Sequence, residues 1–114
     1  MITYDRGDVV LVPFPFSDQT TAKKRPAVIV SSSLFNKQSP DMVILAITSK
    51  INSSVGIGEC LVGDWQSAGL LKPSAIKSAI STVEQTLVLR KLGTLSQADV
   101  ATMNISLSAF LGLS

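Results

Sequence analysis

The chain of 114 residues has no histidine, one cysteine and few aromatic side chains, which make up 5% of the sequence. Histidine is the side chain that most often carries protons near neutral pH, and without it the usual zinc and iron ligand sets cannot be assembled. The single cysteine, Cys60, excludes an internal disulfide. We therefore expect no metal and no cofactor, and any catalysis must depend on the stabilisation of charge.

Charged residues are also scarce, at 16% of the chain against 46% hydrophobic residues. A small domain this apolar is expected to cover part of its surface with another copy of itself or with a partner. No apolar run approaches the roughly 18 residues that a membrane span needs, and residues 1–8 carry two acids in place of an apolar signal core. The sequence predicts one domain over 1–114, oligomeric and cytoplasmic.

Short β-branched runs separated by turn residues predict a mainly β fold with one C-terminal helix. Ser96 and Asp99 match a capping box, and the helix that follows carries apolar residues at helical spacing and ends near Gly112. Prolines at 13 and 15 predict that residues 13–16 are extended at a sheet edge, while Trp65 and Cys60 are expected to pack. Strands are predicted over 8–12, 26–32, 42–48, 59–62, 75–83 and 90–93, with 31–40 as a polar connection. This order indicates a small, mostly antiparallel barrel or strongly bent sheet.

The most informative stretch is a run of three cations, Lys23, Lys24 and Arg25, followed by Pro26 and an apolar strand. Arginine keeps its charge in proteins and offers a planar fork of donors, which suits a phosphate. If strands 26–32 and 42–48 pair antiparallel, the start of one and the end of the other lie at the same edge of the sheet. Arg25 and Thr48 would then share a rim, where a hydroxyl beside a guanidinium can hold a phosphodiester.

Further polar residues surround this predicted rim. Gln19, Thr20 and Thr21 lie in a polar segment, 17–22, that is predicted to close over the rim as a loop, and Ser49 and Lys50 directly follow Thr48. With Lys23 and Lys24 they are the candidate substrate-binding residues. Spacing alone also fits Thr48 as an ordinary strand end and Arg25 as a solvated surface charge, and it favours that plainer interpretation.

Four segments carry a resemblance to a known family: RGDVVLV at 6–12, KRPAVIVS at 24–31, AIT at 46–48 and GTLS at 93–96. In this order they resemble the MazF/PemK toxins of bacterial toxin–antitoxin pairs. The resemblance implies a homodimeric SH3-like barrel that cuts single-stranded messenger RNA without a metal and is silenced by a cognate antitoxin protein. Within it, the catalytic arginine falls on Arg25 and the catalytic threonine on Thr48.

The implied chemistry suits these residues. In RNA the neighbouring 2′-hydroxyl can attack the phosphorus, so the protein need not supply a nucleophile, and DNA is expected to be inert as a substrate. Arg25 would neutralise the charge that builds on the phosphate oxygens, and Thr48 would position one oxygen by a hydrogen bond. Two other functions stay open: a binding module of the same fold that grips a protein, as the CcdB poison grips DNA gyrase, and a relative that binds RNA or antitoxin without cutting.

Overall fold

One antiparallel sheet and a C-terminal helix form most of the computed structural model, which describes residues 3–14, 23–51 and 56–113. The six strands follow the order β4-β5-β3-β2-β1-β6, with every pairing antiparallel and the sheet curled into a half-barrel. The expected mainly β architecture with a C-terminal helix is confirmed. In chain order the elements are β1 (Asp8–Phe14), β2 (Lys23–Ile29), α1 (Ser33–Gln38), β3 (Asp41–Thr48), β4 (Cys60–Val62), β5 (Ser74–Glu84), a 3-10 turn (Gln85–Leu87), β6 (Arg90–Thr94) and α2 (Gln97–Leu111).

Side chains alternate between the two faces of the sheet, and each face carries its own apolar cluster. On one face Val9, Val28 and Leu45 pack with Met103 and Leu107 of α2. Trp65 packs against this cluster and Cys60 lies within it, as expected for both. The opposite face buries a second set: Tyr4, Val10, Val12, Phe14, Ala27, Ile29, Met42, Ile44, Ala46 and Val83.

Most strand ends differ from the sequence-based prediction by one or two residues, and two departures are larger. The strand predicted over 26–32 runs over Lys23–Ile29, because Lys23 and Arg25 continue the pairing with Phe14 and Val12 of β1. Residues 31–40, predicted as a polar connection, contain α1, which begins after the N-cap Ser32. Residue 13 lies at a sheet edge only on the side of β6, because the pairing of β1 with β6 ends at Leu11↔Arg90 while Pro13 still pairs with Lys24 of β2. Residues 15 and 16 lie outside the described ranges.

Helix α2 begins and ends as predicted. The Ser96 side chain accepts a hydrogen bond from the Asp99 amide at 3.2 Å, and Gly112 ends the helix at a φ of +68°. One half of the predicted capping box is wrong, because the Asp99 carboxylate does not reach back to Ser96. It accepts hydrogen bonds from the amides of Gly63 and Asp64, both at 2.9 Å, and so ties the helix to a distant turn. No helix in the described ranges is long and apolar enough to span a membrane.

Candidate RNA-binding and catalytic site

A cavity of about 390 Å³ opens where β2 and β3 stop pairing, and it brings Arg25 and Thr48 together. Its floor is apolar, with Leu11, Pro26 and Ile47 from the sheet and Leu70 from the turn before β5. The full lining is Leu11, Lys23, Lys24, Arg25, Pro26, Ile47, Thr48, Ser49, Gly69, Leu70, Leu71, Lys72, Ser74, Arg90 and Leu92. An apolar floor with a polar rim fits a planar base carrying a charged phosphate, and the volume lies within the range of ligand pockets, about 300 to 1,000 Å³.

The strand register explains why Arg25 and Thr48 meet. The last pair of the β2–β3 ladder is Ala27↔Ala46, and two further residues along each strand reach Arg25 and Thr48. They are therefore opposite each other at the open end of the strand pair, and by alternation both side chains leave the face of Ala27 and Ala46. The floor residues leave the other face, so Arg25 and Thr48 reach the cavity at its rim, where the strand pair ends. Both are partly exposed, as residues that meet a ligand from solvent must be.

Pro26 explains why the ladder stops there. The Val30 amide donates to the Val43 carbonyl at 2.9 Å. Because alternate amides of a strand point to the same neighbour, the amides of residues 28 and 26 would also point at β3. Proline has no amide hydrogen and cannot donate to the Ile47 carbonyl opposite. The pairing of Pro26 with Leu11 of β1 persists, because that neighbour lies on the other side of β2. The two strands thus separate at Pro26, and the cavity begins.

The cavity is strongly positive. Five cations line it, Lys23, Lys24, Arg25, Lys72 and Arg90, and no acid is found among its described lining residues. Elsewhere in the described chain lysines do meet carboxylates: Lys77 lies 3.6 Å from Glu59, and Lys91 lies 3.3 Å from the buried Asp8. The concentration of positive charge in one concave site favours an anionic ligand.

The Thr48 side chain is held in place by the backbone two residues further on. Its hydroxyl oxygen accepts a hydrogen bond from the Lys50 amide at 3.1 Å. A hydroxyl that accepts in this way still has its hydrogen to donate, so Thr48 can offer one hydrogen bond to a phosphate oxygen. Through its amide, Lys50 therefore orients Thr48.

Most of the predicted site residues that fall in the described chain meet in this cavity: Arg25, Thr48, Lys23, Lys24 and Ser49 line it. Lys50 is exposed and is absent from the described lining. Gln19, Thr20 and Thr21, with the rest of the predicted loop, lie outside the described residues. The sequence did not place Lys72 and Arg90 in the site. The only available signal was their charge, since their position depends on contacts between distant parts of the chain.

Lys72 is brought to the cavity by a turn, residues 63–70, that packs on β6. Asp99 fixes the start of the turn through the amides of Gly63 and Asp64. At its end Gly69, with a φ of +81°, lies so close to Leu92 that a Cβ atom would overlap the Leu92 carbonyl. This close backbone contact sets the position of the residues that follow, Leu70 to Lys72.

Metal-ligating side chains do not cluster in the part of the chain that the structure describes. Across 3–14, 23–51 and 56–113, no three cysteine, aspartate or glutamate residues are grouped so that they could hold a metal ion. What the described cavity offers a ligand is cations, hydroxyl groups and apolar surface.

Comparison with known proteins gives a family and a fold. The model of a family described as PemK-like, MazF-like toxin of type II toxin–antitoxin system matches residues 5–111. No curated protein matches the chain. An endoribonuclease in complex with its cognate antitoxin, from Mycobacterial species, is 21% identical with a TM-score of 0.77, covering 100% of this chain and 98% of that chain.

Two structures from Deinococcus radiodurans share the fold at lower identity. MazF is 17% identical with a TM-score of 0.78, covering 98% of this chain and 99% of that chain. The MazE-MazF structure is 16% identical with a TM-score of 0.78, covering 100% of both chains. Because the family model matches nearly the whole chain, this protein belongs to the PemK-like, MazF-like toxins of type II toxin–antitoxin systems.

Proposed function

We propose that this toxin is an endoribonuclease that cleaves single-stranded messenger RNA without a metal ion, with Arg25 and Thr48 as its catalytic residues. One observation carries the proposal: Arg25 and Thr48 lie opposite each other in a cavity that five cations and no described acid line. The fold is shared with proteins described as endoribonucleases, which supports the same reaction class.

The reaction follows from what the substrate and these residues supply. The 2′-hydroxyl oxygen of RNA attacks the adjacent phosphorus and loses its proton, the bond from phosphorus to the 5′-oxygen breaks, and that oxygen takes up a proton. The products are a 2′,3′-cyclic phosphate and a 5′-hydroxyl. Negative charge grows on the non-bridging oxygens on the way, and Arg25 neutralises it through its paired donors while Thr48 donates one hydrogen bond.

The rest of the cavity binds the strand. Lys23, Lys24 and Ser49 lie beside the two catalytic residues and contact the sugar-phosphate backbone, while the apolar floor takes a base. We include Gln19, Thr20, Thr21 and Lys50 among the substrate-binding residues from the sequence. Single-stranded RNA suits this arrangement because its bases are free to leave the stack.

A cognate antitoxin is the expected protein partner, since related folds were solved as complexes of toxin and antitoxin. The cavity is cationic and its edge is apolar, with Leu71 93% exposed, so an acidic amphipathic segment that folds on contact fits it. Other large apolar side chains are exposed as well, including Ile57, Ile105 and Leu113, and their burial favours a homodimer. Messenger RNA as a substrate places the protein in the cytoplasm.

The test is cleavage of a long single-stranded RNA in excess EDTA, with the ends of the products mapped. We expect Arg25→Ala and Thr48→Val to lower the rate about a hundredfold or more, because each removes a donor to the developing charge. Thr48→Ser, which keeps the hydroxyl, should retain most of the activity. Lys37→Ala is the matched control, since Lys37 is exposed on α1 outside the cavity lining.

Three results would contradict the proposal. They are no cleavage by the parent protein, cleavage that requires an added metal, and full activity in Arg25→Ala. Binding of RNA or antitoxin without cleavage would favour the non-catalytic alternatives. A single-stranded DNA of the same sequence should remain intact in every case, because it lacks the attacking hydroxyl.

A further inference from the structure

We infer that Lys72 and Arg90 form a second phosphate site, which binds a phosphodiester next to the one held by Arg25 and Thr48. The inference rests on the proposed function and extends it to how much of the RNA strand the cavity engages. It assigns two residues from distant parts of the chain to substrate binding.

The first argument is charge. A scissile phosphodiester carries one negative charge, which Arg25 alone can neutralise, yet the cavity also holds Lys23, Lys24, Lys72 and Arg90. Lys72 and Arg90 form no ion pair with any residue that the structure describes. Their charge therefore remains available for an anion, and a nucleic acid strand supplies one further charge for every linkage.

The second argument is position. Arg90 lies opposite Leu11, and Leu11 lies opposite Pro26, so Arg90 is two strands away from β2. Strands are spaced by about 4.8 Å, which separates the backbones of Arg90 and Pro26 by roughly 10 Å. Arg90 therefore approaches the cavity from the side opposite to β3, where Thr48 lies.

The third argument is a close backbone contact between the turn before Lys72 and β6, the strand that carries Arg90. Gly69 is in contact with the Leu92 carbonyl, and Gly93 is in contact with Ala68. Lys72 follows Gly69 by three residues and Arg90 precedes Leu92 by two, so this packing brings both cations into the lining of one cavity. Ala75, three residues after Lys72, pairs with Thr48, so Lys72 lies between β6 and the end of β3. Two cations whose nearby backbone is held by such contacts are suited to bind a phosphate between them.

The experiment measures binding and cleavage separately. A short oligonucleotide is made around the mapped cleavage site with a 2′-deoxy nucleotide at the cleaved position, so that it binds without reacting. Each linkage in turn is then replaced by an uncharged methylphosphonate. With the parent protein we expect one replacement beside the scissile linkage to weaken binding roughly threefold to tenfold at low salt, as loss of one phosphate contact should.

The double variant Lys72→Ala/Arg90→Ala identifies the residues. It should bind the unmodified oligonucleotide more weakly, with a slope of log affinity against log salt that is smaller by about one. The same methylphosphonate replacement should then cause no further loss, as in a double-mutant cycle. In cleavage the variant should raise KM and leave kcat nearly unchanged, because the contact is the same in ground state and transition state. Lys37→Ala/Lys77→Ala, at two lysines outside the cavity lining, controls for the loss of two positive charges.

Two outcomes would overturn the inference. One is a double variant with the affinity and salt slope of Lys37→Ala/Lys77→Ala. The other is a double variant that still loses affinity on the same replacement as the parent. If the parent binds RNA without cleaving it, the proposed function fails. The second phosphate site is still tested, because the affinity and salt slope of the parent and the double variant can be compared on a mixed-sequence single-stranded DNA.

Discussion

Gly93 lies so close to Ala68 that a Cβ atom on Gly93 would fall 2.6 Å from both the carbonyl carbon and the carbonyl oxygen of Ala68. Real Cβ atoms are not found at such distances from backbone, and neither backbone is free to move, since β6 pairs with β1 and the turn is tied to Asp99. The contact fixes one wall of the cavity against the sheet. A glycine in this strand thus serves close packing of two backbones.

Replacement of Gly93 by alanine should therefore be costly. We expect Gly93→Ala to lower the free energy of unfolding by about 1 to 3 kcal/mol, because the added methyl group forces the turn away from β6. Urea unfolding followed by circular dichroism measures this. Gly56→Ala is the control, because the nearest atom to its Cβ would be Glu59 Oε1 at 3.4 Å, and its cost should stay within about 0.5 kcal/mol. Equal effects of the two substitutions would show that the close contact is unimportant.

Asp99 provides a second test of how the cavity wall is held. Its two carboxylate oxygens accept from the amides of Gly63 and Asp64, and Asp99 is buried. Asparagine keeps the shape but has one acceptor oxygen, so Asp99→Asn turns a donor toward one of the two amides. We expect a loss of about 1 to 3 kcal/mol in the free energy of unfolding, since a buried amide is left without an acceptor.

The matched control for Asp99→Asn is Asp64→Asn, because Asp64 is an exposed aspartate in the same turn. Its substitution should change stability by no more than about 0.5 kcal/mol. A result in which both variants unfold at the parent's urea midpoint would contradict the role given to Asp99. If Asp99→Asn is fully folded under the assay conditions but cleaves RNA more slowly, the turn that Asp99 holds helps to position the substrate.

The strands and α2 could be predicted from the sequence because their signals are local. The β-branched runs, the Ser96 cap and the terminal Gly112 each act within a few residues. Helix α1 could not, because its only buried residue is Asn36 and no apolar stripe marks it. It is held by distant hydrogen bonds: Asn36 Nδ2 donates to the Tyr4 carbonyl at 3.0 Å, and Gln85 Nε2 donates to the Asn36 carbonyl at 2.7 Å.

The candidate site divides in the same way. Arg25 and Thr48 could be placed together from the sequence, since one antiparallel pairing of neighbouring strands brings them to the same edge. Lys72 and Arg90 required two facts that no local pattern carries. One is the pairing of β6 with β1, and the other is the close approach of Gly69 to Leu92. Both contacts join segments far apart in the chain.

Cys60 predicts a dependence of stability on pH. Burial, with a smaller contribution from the Asp99 carboxylate, raises the pKa of the Cys60 thiol above its ordinary value of 9.0. As pH rises through that value, the unfolded chain releases the thiol proton while the native chain keeps it. The unfolded state is then favoured, so the free energy of unfolding should fall above pH 9, by at most about 1.4 kcal/mol per pH unit from this group.

Urea unfolding at pH 7 and at pH 10 tests this, with Cys60→Ala as the comparison. The variant removes the thiol, so its stability should fall less between the two pH values than that of the parent, whatever its stability at pH 7. All other groups are the same in both proteins, so their contributions cancel in the difference. Identical pH dependence in the two proteins would mean that Cys60 ionises equally in the folded and unfolded chains.

Pro26 is predicted to keep the cavity open. Pro26→Ala restores an amide hydrogen that can donate to the Ile47 carbonyl and extend the β2–β3 ladder by one hydrogen bond. That bond contributes about 0.5 to 1.5 kcal/mol, and the lost proline rigidity costs about 0.4 to 1 kcal/mol, so stability should change little. Cleavage should nevertheless fall, because the strands close beneath Arg25 and Thr48.

Hydrogen exchange gives a readout of Pro26→Ala that does not depend on activity. The new amide of residue 26 should be protected like those of β2 that point at β3, and RNA cleavage should drop by about tenfold or more as the reacting groups are displaced. Pro40→Ala is the control, since Pro40 is exposed at the start of β3, away from the cavity. If the amide at position 26 exchanges as fast as in an unfolded chain and cleavage is unchanged, the missing amide hydrogen of Pro26 is not what separates the two strands.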